Sequence, residues 1–210
     1  MSPYSTTYMR FGKTLNADVP PSDHVLYDST VRVTASRGAK ALVNVVEPYF
    51  ERTWEHFSSH AQTPGDQVSR YALAVASDRI GYIAVPVFKT FASHGNYPLR
   101  LLVRNLINVL MPEPLLRVDG PTSTEATVTR QGGRTMVHLL QYCPERRTKS
   151  LDLVEDIVPL YNVPLSLKSA KKPKKVYTAP DQTAIEFEHL AGRINLRVPV
   201  VNGHAMIVFE

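Results

Sequence analysis

The stretch YALAVASDRIGYIAVPVF (71–88) decides how the first half of this chain is read. It holds two short, nearly continuous apolar runs, YALAVAS (71–77) and RIGYIAVPVF (79–88), separated by a single aspartate. A similar run, AKALVNVV (39–46), precedes them, and HVLYDSTVRVTA (24–35) is rich in β-branched residues, with Val31 and Val33 alternating with polar neighbours. Apolar runs of roughly four to eight residues fit strands buried on both faces, as in an α/β sheet. That is the expectation for residues 1–112.

A helix is predicted next, over NYPLRLLVRNLINVLMP (96–112). Leu99, Leu102, Val103, Leu106 and Leu110 recur at three- and four-residue steps, while Arg100, Arg104 and Asn108 occupy another face. Asn96 is placed to cap the start, Pro98 suits a first turn, and Pro112 ends the helix. A break follows at MPEPLLRVDGP (111–121), with three prolines and a glycine.

Beyond residue 115 the period changes to two. In RTMVHLLQY (134–142), Met136, His138, Leu140 and Tyr142 share one face, and Val137 and Leu139 the other. AIEFEHL (184–190) and INLRVPVV (194–201) alternate in the same way. Gly132-Gly133, Gly192 and Asn202-Gly203 punctuate these runs, and Asn-Gly is the strongest short hairpin signal because both residues tolerate positive φ. Residues 113–210 are therefore expected to form an antiparallel sandwich.

The 210 residues are 43% hydrophobic and 20% charged, an ordinary globular balance that suits one large domain or two small ones. No stretch approaches the roughly 20 apolar residues of a membrane span, and the N-terminus has no secretory core. A cytoplasmic protein, or a part cut from something longer, is the expectation. The one cysteine, Cys143, excludes an internal disulfide and a cysteine-rich zinc site; it reads as a free buried thiol. The net charge of +5 invites a nucleic-acid reading. However, much of the excess sits in PERRTK (144–149) and KSAKKPKK (168–175), which lack the interleaved aromatics of a strand-tracking surface. No nucleic-acid partner is expected.

The densest polar stretch is WEHFSSHAQTPGD (54–66). His56 and His60 have the four-residue spacing of a helical zinc pair, but Phe57 stands where HExxH has glutamate, and no clear third ligand follows. Neither a G-x-S-x-G elbow nor a phosphate-cradling glycine motif is present. Cys143 is a conceivable nucleophile with His138 or His94, but it lies at a strand end before Pro144. Glu47, Glu51, Glu55 and Asp66 offer carboxylates for a glycosidase pair, yet spacing alone selects none. No metal and no cofactor is expected.

Read together, VEPYFERTWEHFSSHAQTPGD (46–66), YIAVPVFKTFASHGNYPLRLLVRNLINVLMPEPLL (82–116), TRQGGRTMVHLLQYCPERR (129–147), VEDIVPLYNVPLSL (154–167) and VPVVNGHAMIVFE (198–210) carry a resemblance. In order, and over nearly the whole chain, they resemble the C-terminal region of a hypothetical glycoside hydrolase family related to β-galactosidases that carry a trimerisation domain. The resemblance implies a partial flavodoxin/amidotransferase-like α/β domain, of the β-galactosidase trimerisation type, over 1–112. It implies a small all-β antiparallel sandwich over 113–210.

In such proteins a separate TIM barrel holds the catalytic carboxylates. A barrel needs at least about 200 residues, so this chain is expected to be a truncated or separately encoded portion with no catalytic residue of its own. Missing strand–helix units would leave a sheet edge and apolar surface open, which favours a homo-oligomer or a catalytic-barrel partner chain. His56, Ser59, His60, Gln62 and Thr63 would then contact carbohydrate or support the groups that do. The implied function is a non-catalytic oligomerisation and accessory portion of a glycoside hydrolase. The alternatives are a stand-alone carbohydrate-binding protein stacking sugars on Trp54, Tyr49 and Tyr82, or an unrecognised hydrolase using the His56–Asp66 loop.

Overall fold

The structure, a computed structural model, describes residues 1–60 and 62–210. The chain divides into two compact units, Met1–Pro112 and Glu113–Glu210.

The first unit holds β1 (Thr7–Phe11), β2 (His24–Leu26), β3 (Lys40–Pro48), β4 (Gly65–Ala76), β5 (Gly81–Ile83), α1 (Val87–His94) and α2 (Tyr97–Leu110). Its sheet runs β2-β1-β3-β4-β5, and each of these pairings is antiparallel. This overturns the flavodoxin/amidotransferase-like α/β reading of 1–112. The reason lies in the apolar runs themselves. β3 and β4 slip register at four places between Ala41 and Pro48, so the alternation of a regular strand is broken by bulges. Adjacent residues Leu42 and Val43, and Val45 and Val46, are consequently all buried. A bulged antiparallel strand thus mimics the continuous run of a parallel one.

RIGYIAVPVF divides differently from its reading as one strand. Only Gly81–Ile83 pairs with β4, and α1 begins at Val87. Likewise, of 24–35 only His24–Leu26 is a strand, with Val33 making a single bridge to Ala72.

α2 forms where its periodicity places it. Leu99, Leu101, Leu102 and Leu106 are buried, each contributing about 1.5–3 kcal/mol relative to exposure. Leu99, Leu102 and Leu106 pack with Met9, Val43, Leu73 and Val85. Asn96 does not cap the helix through its side chain; its Nδ2 donates instead to the carbonyl of Val25 at 2.6 Å. Buried Asn105 donates to the carbonyls of Leu15 (2.8 Å) and Ala17 (2.9 Å). α1 ends on Gly95 at φ 59°, a left-handed position that suits glycine.

The second unit holds β6 (Leu116–Val118), β7 (Thr124–Gln131), β8 (Arg134–Gln141), β9 (Glu145–Arg146), β10 (Asp152–Leu153), β11 (Leu160–Lys168), β12 (Val176–Ala179), β13 (Phe187–Leu190), β14 (Arg193–Val201) and β15 (His204–Phe209). Two four-stranded antiparallel sheets, β13-β14-β11-β6 and β12-β15-β8-β7, enclose one core. Val137, Leu139 and Ile207 from one sheet meet Val163, Leu165 and Val198 from the other. The expected antiparallel sandwich is present, and its inward faces follow the period of two.

One turn differs from its reading. Asn202-Gly203 does not close a hairpin, because β14 and β15 belong to different sheets; Gly203 alone has positive φ. The hairpin between β13 and β14 is closed by Ala191-Gly192, at φ 51° and 73°. Cys143 is exposed rather than buried.

Candidate functional site: the loop closing the β3–β4 hairpin

β3 and β4 pair as far as Pro48 opposite Gly65, so residues 49–64 close the hairpin at one end of the first unit's sheet. The base of this loop is fixed by hydrogen bonds. The Tyr49 amide donates to the Pro64 carbonyl at 3.2 Å. The Thr63 hydroxyl donates to the Phe50 carbonyl at 2.9 Å, and the Tyr8 hydroxyl donates to the Thr63 carbonyl. Burial raises the Tyr8 hydroxyl above its usual range, with the neighbouring Tyr27 adding to the shift, so it remains a donor at neutral pH. Space beside Gly65 is tight, since a Cβ would lie 3.3 Å from Val46 Cγ1 and 3.4 Å from the Tyr8 ring.

Above that base the loop is held by its own short-range contacts. The Thr53 amide donates to the His56 carbonyl at 3.0 Å, and the His56 amide donates to the Thr53 hydroxyl at 3.1 Å. The Arg52 guanidinium donates to the His60 carbonyl at 3.0 Å and lies over the Phe57 ring, 5.4 Å from its centre. The His56 ring tilts against Phe50 at 5.9 Å. Such self-satisfied loops are held in shape without a buried core.

The five polar residues singled out from sequence are placed unequally. His56, Ser59 and His60 are exposed, Gln62 is half-buried, and Thr63 is buried. Thr63 thus faces the loop base, where its hydroxyl is engaged, while the other four remain near or at the surface. Residues 54–60 form no helix, so the four-residue spacing of His56 and His60 does not bring their imidazoles onto one helical face.

Aromatic side chains complete the surface. Trp54 is 89% exposed and Phe57 72%, so both rings stand largely in solvent. Tyr49 is exposed in the same loop. Phe57 and Arg52 were not legible as functional; the only signal was their place among polar residues between two strands. Tyr82, by contrast, pairs with Val75, near the opposite end of β4 from Gly65. At about 3.3 Å per residue that is roughly 30 Å away, so Tyr82 shares no platform with Tyr49 and Trp54.

Among the described residues, nucleophilic and acid–base constellations do not assemble around these groups. Glu51 accepts the Ser5 amide at 2.9 Å, and Glu47 accepts the Ser69 hydroxyl at 2.8 Å, so both carboxylates hold the fold. Cys143 lies near Gln141 and Ser123, whereas the ring nitrogens of His138 face Thr129 (3.3 Å) and His204 (3.2 Å); no Cys–His pair forms. His94 packs against Tyr27. Among the described residues no group of three or more His, Cys, Asp and Glu is arranged to hold a metal ion. None of the described helices is long and apolar enough to cross a membrane.

No protein-family model and no curated protein sequence matches the chain. Among solved structures, α-L-fucosidase isoenzyme 2 from Paenibacillus thiaminolyticus matches with a TM-score of 0.90 and 29% sequence identity, over 100% of this chain and 32% of that one. The chain therefore has a glycoside-hydrolase-related fold and spans about a third of the length of the fucosidase it matches.

Proposed function

We propose that these 210 residues act as a non-catalytic accessory portion of a glycoside hydrolase and present the 49–64 loop to the sugar site of a catalytic barrel. The carrying observation is the match of the whole chain to one third of an α-L-fucosidase. Since the 210 residues match 32% of that enzyme, roughly 450 of its residues remain, ample for a barrel of about 250, and neither unit here is a barrel. The loop supports the reading in its chemistry. Trp54, Phe57 and Tyr49 offer flat apolar faces to a sugar ring, and His56, Ser59, His60 and Gln62 offer hydrogen-bonding groups beside them. Thr63 and Gly65 set the loop's base.

On this reading the sugar is of the fucoside or galactoside class, and the barrel belongs to a partner chain or to another copy in a homo-oligomer. The single exposed thiol, with no disulfide to form within the chain, suits the reducing cytoplasm.

The test measures hydrolysis of aryl α-L-fucosides and β-galactosides by the purified chain, with light scattering in parallel. The expected results are no turnover and a defined oligomer or a one-to-one complex with a barrel-bearing chain. Turnover by the chain alone, abolished by Glu55→Gln or Asp66→Asn, sinks the proposal. A second reading, independent sugar binding, is favoured only by the bare Trp54 ring. It requires saturable glycan binding by a monomer that is lost in Trp54→Ala.

A further inference from the structure

We propose that the groove between α1 and α2 is a docking site for an amphipathic helix of a partner polypeptide, one whose apolar stripe is flanked by carboxylates. This does not rest on the sugar-site reading. A helix that covers a sheet ordinarily turns a polar face to water. α1 and α2 bury Val87, Leu99, Leu102 and Leu106 against the strands, but their other face is apolar as well. Phe88 is 76% exposed and Ile107 48%, and Phe91, Val109 and Met111 are exposed too. Phe88, Phe91, Val103 and Ile107 line a groove of about 450 Å³ whose rim carries Arg100 and Arg104.

Charge selects the occupant. Between Val87 and Leu110 the sequence contains Lys89, Arg100 and Arg104 and no aspartate or glutamate. Lys89 pairs with Asp28 at 3.3 Å, and Arg104 with Asp18 at 2.8 Å. The Arg100 guanidinium instead lies over the Tyr97 ring, 4.9 Å from its centre, and no described carboxylate reaches it. A hydrophobic groove with a cationic rim accepts an apolar helix face with an acidic edge. A second copy of this chain would bring its own Arg100 against the same uncompensated charge. An anionic bilayer would meet a concave surface, whereas interfacial helices insert a convex apolar ridge. α2 presents about 21 Å of length, enough for contacts at i, i+3, i+4 and i+7 of the incoming helix.

The experiment uses the full chain and a fluorescein-labelled peptide of about four helical turns, with leucines at i, i+3, i+4 and i+7 and glutamates on the flanks. Fluorescence anisotropy is expected to give saturable binding in roughly the micromolar range. Arg100→Glu is expected to weaken it by about tenfold or more, and Phe88→Ser to abolish it, with unchanged circular dichroism in both variants. A peptide with lysine in place of glutamate is expected to bind the wild type poorly and Arg100→Glu better. Four results overturn the proposal: no saturable binding of the acidic peptide, equal binding of the lysine peptide, and uptake by phosphatidylserine vesicles in place of peptide binding. The fourth is a homodimer dispersed by Phe88→Ser.

Discussion

Gly81 of β5 marks where α2 sits on the sheet, and replacing it with alanine tests that seat quantitatively. A Cβ at this position would lie 2.9 Å from Leu106 Cδ2 and 3.0 Å from both Cδ1 and Cγ. Leu106 is itself buried and has little room to withdraw. Overpacking of this kind costs about 1–3 kcal/mol, so Gly81→Ala is expected to destabilise the first unit by that amount. With a urea dependence of about 1–3 kcal/mol/M, the midpoint falls by roughly 1 M. Leu106→Ala alone removes the three clashing atoms and is expected to cost about 2–5 kcal/mol through lost burial and a cavity.

In the double variant the new methyl enters the space that leucine vacated, so the added cost of Gly81→Ala vanishes. The coupling between the two changes is then about 1–3 kcal/mol. Ellipticity at the helical minimum is the appropriate probe, because both described helices lie within Met1–Pro112. Trp54 fluorescence is a poor one, since the ring is already in water in the folded state. Strict additivity, with Gly81→Ala costing the same in both backgrounds, would refute the placement of α2 against β5.

Other outcomes are equally definite. Thr63→Val removes the hydroxyl that holds the Phe50 carbonyl and is expected to cost about 1 kcal/mol, with faster amide exchange confined to residues 50–60. Arg10 grips Asp23 through two hydrogen bonds of 2.7 Å, and this holds the Asp23 carboxyl below its usual range. The ionised form is thus favoured by folding, so the stabilisation is present above the unfolded pKa and is lost as pH falls through the folded one. Arg10→Met is therefore expected to lower stability at neutral pH by less than about 1 kcal/mol for so exposed a pair, with the gap closing in acid; a gap that widens in acid contradicts the assignment. Ala191 occupies the left-handed region at φ 51°. Ala191→Asn is expected to raise the stability of the second unit by up to about 1 kcal/mol, measured by thermal unfolding.

The second unit was legible because its strands obey a simple period. Val137, Leu139, Leu196 and Val198 face inward as alternation requires. α2 was legible for the same reason, through its stripe of leucines. The first unit was not, because hydrophobic runs such as AKALVNVV carry no mark of strand direction, and bulges in β3 and β4 hide the antiparallel alternation. α1 is hidden in the sequence because VFKTFASH continues an apolar run and exposes both phenylalanines. At the loop, the polar residues were visible in the sequence, but the bareness of Trp54 and Phe57 was not, since aromatics between apolar runs usually belong to a core. The dipeptide Asn202-Gly203 by itself predicts a hairpin, and only the pairing of β14 and β15 with different neighbours decides its role.

That last connection also limits how the sandwich can change. From Val201 to His204 the backbone makes three Cα steps, which extend no further than about 11 Å, and facing sheets lie about 10 Å apart. The link is short and turned, with Asn202 bridged to His204 and Gly203 at φ 74°, so two residues alone carry the chain from one layer to the other. Deleting either residue would draw the layers together or unpick a strand end, whereas an insertion at Gly132-Gly133, which only closes a hairpin within one sheet, would leave the spacing untouched. Length variation in this half of the molecule is thereby steered away from residues 202–203 and toward the hairpin tips.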